Sequence, residues 1–162
     1  MPYRPFEEQN CSIADALAVI GERWTLLVLR EVLLGRRRFQ EIKRQTGIAP
    51  NILSDRLSTL VAHGVLRRRL YSRQPESYEY LPTVKALDVV PVLIALTQWG
   101  DRHAAGPAGP PRVYVHTTCG HDAQPRLVCG HCEATLRATE LRMRPGPGAS
   151  QEQRSQGALP AD

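Results

Sequence analysis

The sequence predicts a mainly α protein with a β-hairpin wing, an α+β winged helix-turn-helix that dimerises through its terminal helices and carries a small Cys/His appendage. Three observations predict it. Apolar residues recur at helical spacing in successive segments up to Gly64, the pattern changes to two β-prone runs around SRQPE before Leu81, and three of the four cysteines lie between Cys119 and Cys132, beyond AGPAGPP.

The elements follow in order. After a polar arm at 1–10, Ser12 is placed to cap a first helix, IADALAVIG, closed by Gly21. In ERWTLLVLREVLLG the apolar positions Trp24, Leu27, Val28 and Leu34 suit a buried helix ending at Gly35. FQEIKRQTG makes a short third helix with Phe39 and Ile42 inward. The fourth, beginning at Pro50 in IAPNILSDRLSTLVAHG, has an inward stripe of Ile52, Leu53, Leu57, Leu60 and Val61. VLRRRLY and SYEYL then form the hairpin. LDVVPVLIALTQW is a last helix, with Pro91 expected to kink it because the bond back to Leu87 is lost. This helix is apolar nearly all round, so one side packs on its own domain and the other on a partner, most economically a second copy of the chain. The resulting division is a winged-helix domain at 11–105, a linker at 106–111, a Cys/His unit at 112–144, and a tail at 145–162 too poor in apolar residues to fold.

With 162 residues and 42% hydrophobic content the chain can bury a core. It has no apolar run of about 18 residues and no basic-then-apolar leader, which points to a cytoplasmic protein that does not enter the membrane. The net charge of +5 is unevenly placed: ten basic residues between Arg36 and Arg73 face only Glu41 and Asp55, leaving the remainder mildly acidic. One face is thus suited to phosphates. A plain solvated charged face is the competing reading.

The fourth helix follows a short helix and a turn at Thr46-Gly47, so it takes the recognition position, where outward side chains meet base edges in the major groove of double-stranded DNA. Its outer face offers Pro50, Asn51, Ser54, Asp55, Arg56 and Ser58, mostly short groups that let the backbone approach. Asn51 suits an adenine edge, Ser54 and Ser58 either kind of base, Arg56 a guanine or a phosphate, and Asp55 a cytosine amino group, although phosphates repel an acid. Arg36, Arg37, Arg38, Lys43 and Arg44 are assigned to the backbone, where they set affinity and register. On the hairpin Arg67 and Arg69 point one way and Arg68 the other, and Arg73 near the tip is assigned to a minor groove. The alternative is an exposed helix of middling propensity with no ligand.

Cys11, the Gly-x-x-Trp-Thr-Leu-Leu run at Gly21 to Leu27, Arg38-Phe39, the Leu-x-x-Arg-Leu run at Leu53 to Leu57, and Trp99-Gly100 together resemble the HxlR-type branch of MarR-like bacterial transcriptional regulators over residues 10–103. The resemblance implies a homodimeric winged-helix regulator, usually a repressor, on a palindromic operator, in some members responsive to an electrophile, an oxidant or another small molecule through a Cys placed like Cys11. One departure is TVKALDV at 83–89, where the family tends to have Thr-Pro-Lys-Gly; it alters the start of the dimer helix, not the DNA face. Cys11 has two readings. It is a redox sensor activated by the partial positive charge at a helix start, or a small residue buried at the dimer seam, with Glu7 and Glu8 raising its thiol pKa.

In VHTTCGHDAQPRLVCGHCEATL, His116-x2-Cys119-Gly and Cys129-x2-Cys132 resemble the two knuckles of a zinc ribbon. The assigned ligands of a closed, structural zinc site are His116, Cys119, Cys129 and Cys132, with His121 as substitute for His116. Free thiols on a hairpin are the alternative. A thiol enzyme built on Cys129-x2-Cys132 is disfavoured, because no parallel-sheet pattern precedes the motif, and no catalytic triad, phosphate-cradling Gly loop or carboxylate pair suggests an enzyme. A winged-helix module for RNA or protein contact is the second functional class. The excess of Arg over Lys suits a GC-rich bacterial genome.

Overall fold

The computed structural model describes residues 9–155, so Glu7, Glu8 and most of the arm, with the end of the tail, lie outside the described residues. The chain divides into two compact units, Met1–Ala104 and Ala105–Asp162.

In the first unit α1 spans Ser12–Ile20. Cys11, not Ser12, is the cap residue: its extended backbone (φ −148°, ψ 117°) turns its carbonyl to accept the Asp15 N–H at 3.0 Å, and Ser12 is already helical. Gly21 caps the end of the helix, its N–H donating to the Leu17 carbonyl at 2.8 Å, and a Cβ there would lie 2.5 Å from that oxygen, which favours glycine. α2, Thr25–Leu33, buries Thr25, Val28, Leu29 and Val32, an i, i+3, i+4, i+7 stripe. The expected inward residues Leu27 and Leu34 are 37% and 54% exposed and Trp24 is only half-buried. In a helix apolar on several sides, periodicity alone does not fix which side the core selects.

α3, Phe39–Thr46, starts where the Glu41 carboxylate accepts the N–H groups of Arg37 (3.1 Å) and Arg38 (3.0 Å), and it buries Ile42 with Phe39 partly covered. Gly47, at φ +68°, takes the left-handed conformation that turns the chain toward α4, Pro50–Ala62. Pro50 opens α4 where its missing N–H costs nothing. Leu53, Leu57 and Leu60 are fully buried, whereas Ile52, expected inward, is 37% exposed because it lies a quarter-turn to the side of that stripe.

The hairpin pairs β1, Leu66–Arg73, with β2, Glu76–Pro82, antiparallel from Leu66 opposite Pro82 to Arg73 opposite Glu76, with an irregularity at Tyr71. The α2–α3 connection joins it: Arg38 bridges Glu79, and the Tyr80 N–H donates to the Arg37 carbonyl at 2.8 Å. After a short α5, Val84–Leu87, α6 runs Val90–His103. Pro91 lies in its first turn, where no intrahelical bond is lost, so it starts the helix instead of kinking it. No residue of α6 is buried. Among the described residues no helix is long and apolar enough to cross a membrane.

A buried carboxylate organises the middle of this unit. Glu31 is 1% exposed on α2 and accepts hydrogen bonds from Arg30 (2.9 and 2.7 Å) and from Arg36 (2.8 Å).

The second unit has a short pair, β3 (Val115–His116) and β4 (His121–Asp122), an isolated bridge between Val128 and Thr135, and a 3-10 turn at Ala138–Glu140. No residue from 112 to 144 is buried. In the tail, α7 (Gln151–Ser155) forms despite the low apolar content. Ser150 and Gln153 cap each other, with the Gln153 N–H to the Ser150 hydroxyl at 3.2 Å and the Ser150 N–H to the Gln153 amide oxygen at 2.9 Å.

Replacing Glu31 with alanine leaves two guanidinium groups without their shared anion. Because both arginines are partly solvated, the expected loss in urea-monitored unfolding is about 2 kcal/mol. A loss under about 0.5 kcal/mol would show that the cluster does not hold the unit together.

Candidate nucleic-acid interface

Opposite the buried stripe of α4, Asn51, Ser54, Asp55 and Ser58 recur at i, i+3, i+4 and i+7, and all are exposed, as is Pro50. The ridge is fixed from behind by Leu53, Leu57 and Leu60. Gln40, Lys43 and Arg44 of α3, with Gly47 and Ile48 of the turn that leads to α4, line an open cleft of about 330 Å³.

The cations fall into three sets. Arg37, Arg44, Arg67 and Arg73 are exposed, and Lys43 is half-buried. Arg38 is exposed and its guanidinium lies 4.4 Å from the centroid of the Tyr71 ring, which aims it along the wing. Three others are held by carboxylates. Arg36 binds Glu31 at 2.8 Å, Arg69 binds Glu79 across the hairpin at 2.6 Å, and Arg56 pairs with Glu22 at 3.3 Å and with Asp55. Arg56, expected at a guanine or a phosphate, has a side chain that is 17% exposed and paired with Glu22, which precedes α2. Its pairing with Asp55 also neutralises the acid on the ridge. Arg36 serves the fold in the same way. Apart from Asp55, these partners lie on another element or strand from the arginine they hold, so charge counting did not reveal them.

Arg68, on the opposite strand face from Arg67 and Arg69, stacks 4.1 Å from the Tyr78 ring centroid. The hydrogen bond to Glu76 raises the Tyr78 phenol pKa, and burial raises that of Tyr80. Both hydroxyls accordingly stay neutral, and the wing presents no phenolate to a phosphate. Glu31, Glu41, Glu79 and the tyrosines position this surface and were missed by sequence reasoning; only the Glu41 spacing after Arg38 gave a signal, that of a capping residue three positions on.

Cys11 is exposed at the head of α1. In the second unit His116 Nδ1 lies 3.3 Å from Cys119 Sγ, while His121 Nδ1 is 2.8 Å from the Cys119 carbonyl oxygen. The assigned ligands come together as pairs: among the described residues no group of three or more His, Cys, Asp or Glu is gathered closely enough to hold a metal ion.

Two helices joined by a glycine turn, the second bearing a polar ridge, and a basic hairpin tied to the same frame define a winged helix-turn-helix protein. The HxlR-like helix-turn-helix family model matches residues 19–108, more than half of the chain, and the chain belongs to that family. It is 44% identical over 137 residues to an uncharacterized HTH-type transcriptional regulator of Mycobacterium tuberculosis, a similarity spanning 85% of this chain and 87% of the relative. A Pseudomonas aeruginosa protein solved as a candidate transcription factor is 37% identical with a TM-score of 0.63, over 90% of this chain and 99% of that one. The redox regulator HypR in its oxidized form is 27% identical with a TM-score of 0.54, over 59% of this chain and 100% of its own.

The division of the cations predicts different phenotypes. Arg44→Ala and Arg67→Ala each weaken binding to every duplex alike and lower the slope of log affinity against log salt by about 1. Arg56→Ala leaves that slope unchanged and instead lowers the unfolding midpoint. A salt slope reduced equally by Arg56→Ala would return that residue to the phosphate contacts.

Proposed function

We propose that this DNA-binding transcriptional regulator of the HxlR type acts as a homodimeric repressor on a palindromic operator, in the cytoplasm of a bacterium. The single observation that carries the reading is the ridge Asn51, Ser54, Ser58: short, exposed, polar, rigidly backed and framed by exposed arginines. Such groups form hydrogen bonds to base edges, and the flanking guanidinium groups bind phosphates without reading sequence. The dimer is supported by the apolar surface of the terminal helices. Val92, Leu96 and Trp99 on α6 are 44%, 48% and 62% exposed, and Ile13 and Leu17 on α1 are 70% and 44% exposed. Their burial against a second copy removes from water a surface that an isolated domain of this size does not sustain. Val84 and Leu87, within the TVKALDV departure, are also exposed.

Sensing is assigned to Cys11. It is exposed, sits where α1 begins, and lies on a helix of the proposed dimer surface, so an adduct there alters the spacing of the two ridges. The likeness to a protein named as a redox regulator supports an oxidant or electrophile as effector.

Selection of bound fragments from random DNA tests the main reading. The expected result is a two-fold symmetric site with half-sites about one helical turn apart. Asn51→Ala and Ser54→Ala should each reduce discrimination between that site and a scrambled duplex by about tenfold, with little change in non-specific affinity. Unchanged discrimination would overturn the assignment of the ridge, and a monomeric mass for the wild type in solution would overturn the dimer. For the sensor, a quinone is expected to release the wild type from its operator in a gel shift and to leave Cys11→Ser bound. Release of both proteins would exclude Cys11.

A further inference from the structure

The second unit contains the same knuckle twice. In the first, the Gly120 N–H donates to the His116 carbonyl at 2.8 Å and Gly120 is left-handed at φ +74°. Thirteen residues on, the Glu133 N–H donates to the Cys129 carbonyl at 2.8 Å and Glu133 is left-handed at φ +58°. The flanks repeat as well. The Ala123 N–H donates to the Tyr114 carbonyl at 2.7 Å, and the Leu136 N–H donates to the Leu127 carbonyl at 2.9 Å, at the same offset. The repeat superposes His116 on Cys129 and Cys119 on Cys132, so each hairpin offers one pair of ligand side chains at matching positions.

Two further features call for a cause outside ordinary packing. Glu133 is the one non-glycine residue with positive φ among the described residues, a conformation that an L residue rarely adopts. The unit also has no core: nothing from 112 to 144 is buried, and Leu127, Val128 and Val115 are all more than half exposed. A segment this short that holds two matching hairpins without buried apolar residues lacks a hydrophobic source of stability.

We propose that His116, Cys119, Cys129 and Cys132 close around one zinc ion, each knuckle supplying two ligands, in a structural site that folds the second unit. Three thiolates and an imidazole suit tetrahedral zinc, and knuckle N–H groups commonly stabilise the thiolates. The pairs are separate in the structure, and zinc, whose binding in such sites supplies folding free energy, draws the hairpins together across residues 124–127.

The repeat also selects the histidine. His116 occupies the ligand position and its Nδ1 is already 3.3 Å from Cys119 Sγ. His121 corresponds to Ala134 and His131 to Thr118, neither a ligand position, and the His121 ring is turned to the Cys119 carbonyl.

The test uses the full-length chain purified without a histidine tag. Elemental analysis should give about one zinc per chain, and cobalt substitution should give the absorption of a tetrahedral thiolate site. Cys119→Ser, Cys132→Ser and His116→Ala should each fall below about 0.2 metal per chain, whereas His121→Ala keeps about one. His116→Cys should keep the metal and strengthen the thiolate-to-cobalt charge-transfer band, a gain that misfolding does not produce. Wild-type protein with under about 0.2 zinc, or equal loss in His116→Ala and His121→Ala, would overturn the proposal.

Discussion

The first unit depends on the carboxylate of Glu31. It lies in the core face of α2, where an unpaired charge is costly, and two arginines resolve that cost from opposite sides: Arg30 from its own helix and Arg36 from the connection that follows. Arg36 is thereby fixed, and with it the segment that continues to Arg37 and Arg38. That segment hydrogen-bonds to β2 through Tyr80 and enters α3 through Glu41. The buried anion thus couples α2, α3 and the hairpin, while the ridge of α4 is held by its own buried leucines. Removal of freedom before any ligand arrives reduces the ordering cost that binding would otherwise carry.

The same logic divides the arginines. A guanidinium bonded to a buried or half-buried carboxylate has its position set and donors engaged, as with Arg36 and Arg69, and Arg56 is held between the more exposed carboxylates of Glu22 and Asp55. One standing alone on the surface, as Arg44 or Arg67, retains its donors for a phosphate. Arg38 and Arg68 form a third kind, oriented by tyrosine faces without neutralisation. The basic segment is therefore smaller in effective charge than its composition suggests, but better placed. Asp55 loses most of its repulsion toward a polyanion by pairing with Arg56.

The second unit is organised differently. Its turns are local, closed by backbone bonds over a few residues and by side-chain caps such as Ser150 with Gln153. Local bonds of this kind form readily but contribute little net stability in water. Apolar side chains such as Leu127 stay exposed because hairpins this short have no opposite layer on which to pack.

The sequence by itself determined the order of helices, hairpin and Cys/His unit, the family resemblance, and the outward face of α4. Each rests on spacing along the chain: a period near 3.6 or 2, a glycine at a turn, or two ligand types three residues apart. It misplaced the phase of α2, the cap of α1, the burial of Ile52 and the role of Pro91. Those depend on which of several apolar sides meets the core and on where a helix begins, to within one residue. Only the tertiary structure decided which arginines are occupied, since Glu22, Glu31 and Glu79 reach their partners through packing of different elements or across strands. It also revealed the knuckle repeated after thirteen residues, a likeness of backbone hydrogen bonds between segments with few residues in common. Periodic patterns are written in one dimension and survive translation to sequence, whereas the pairing of charges is fixed by distances that exist only once the chain has folded.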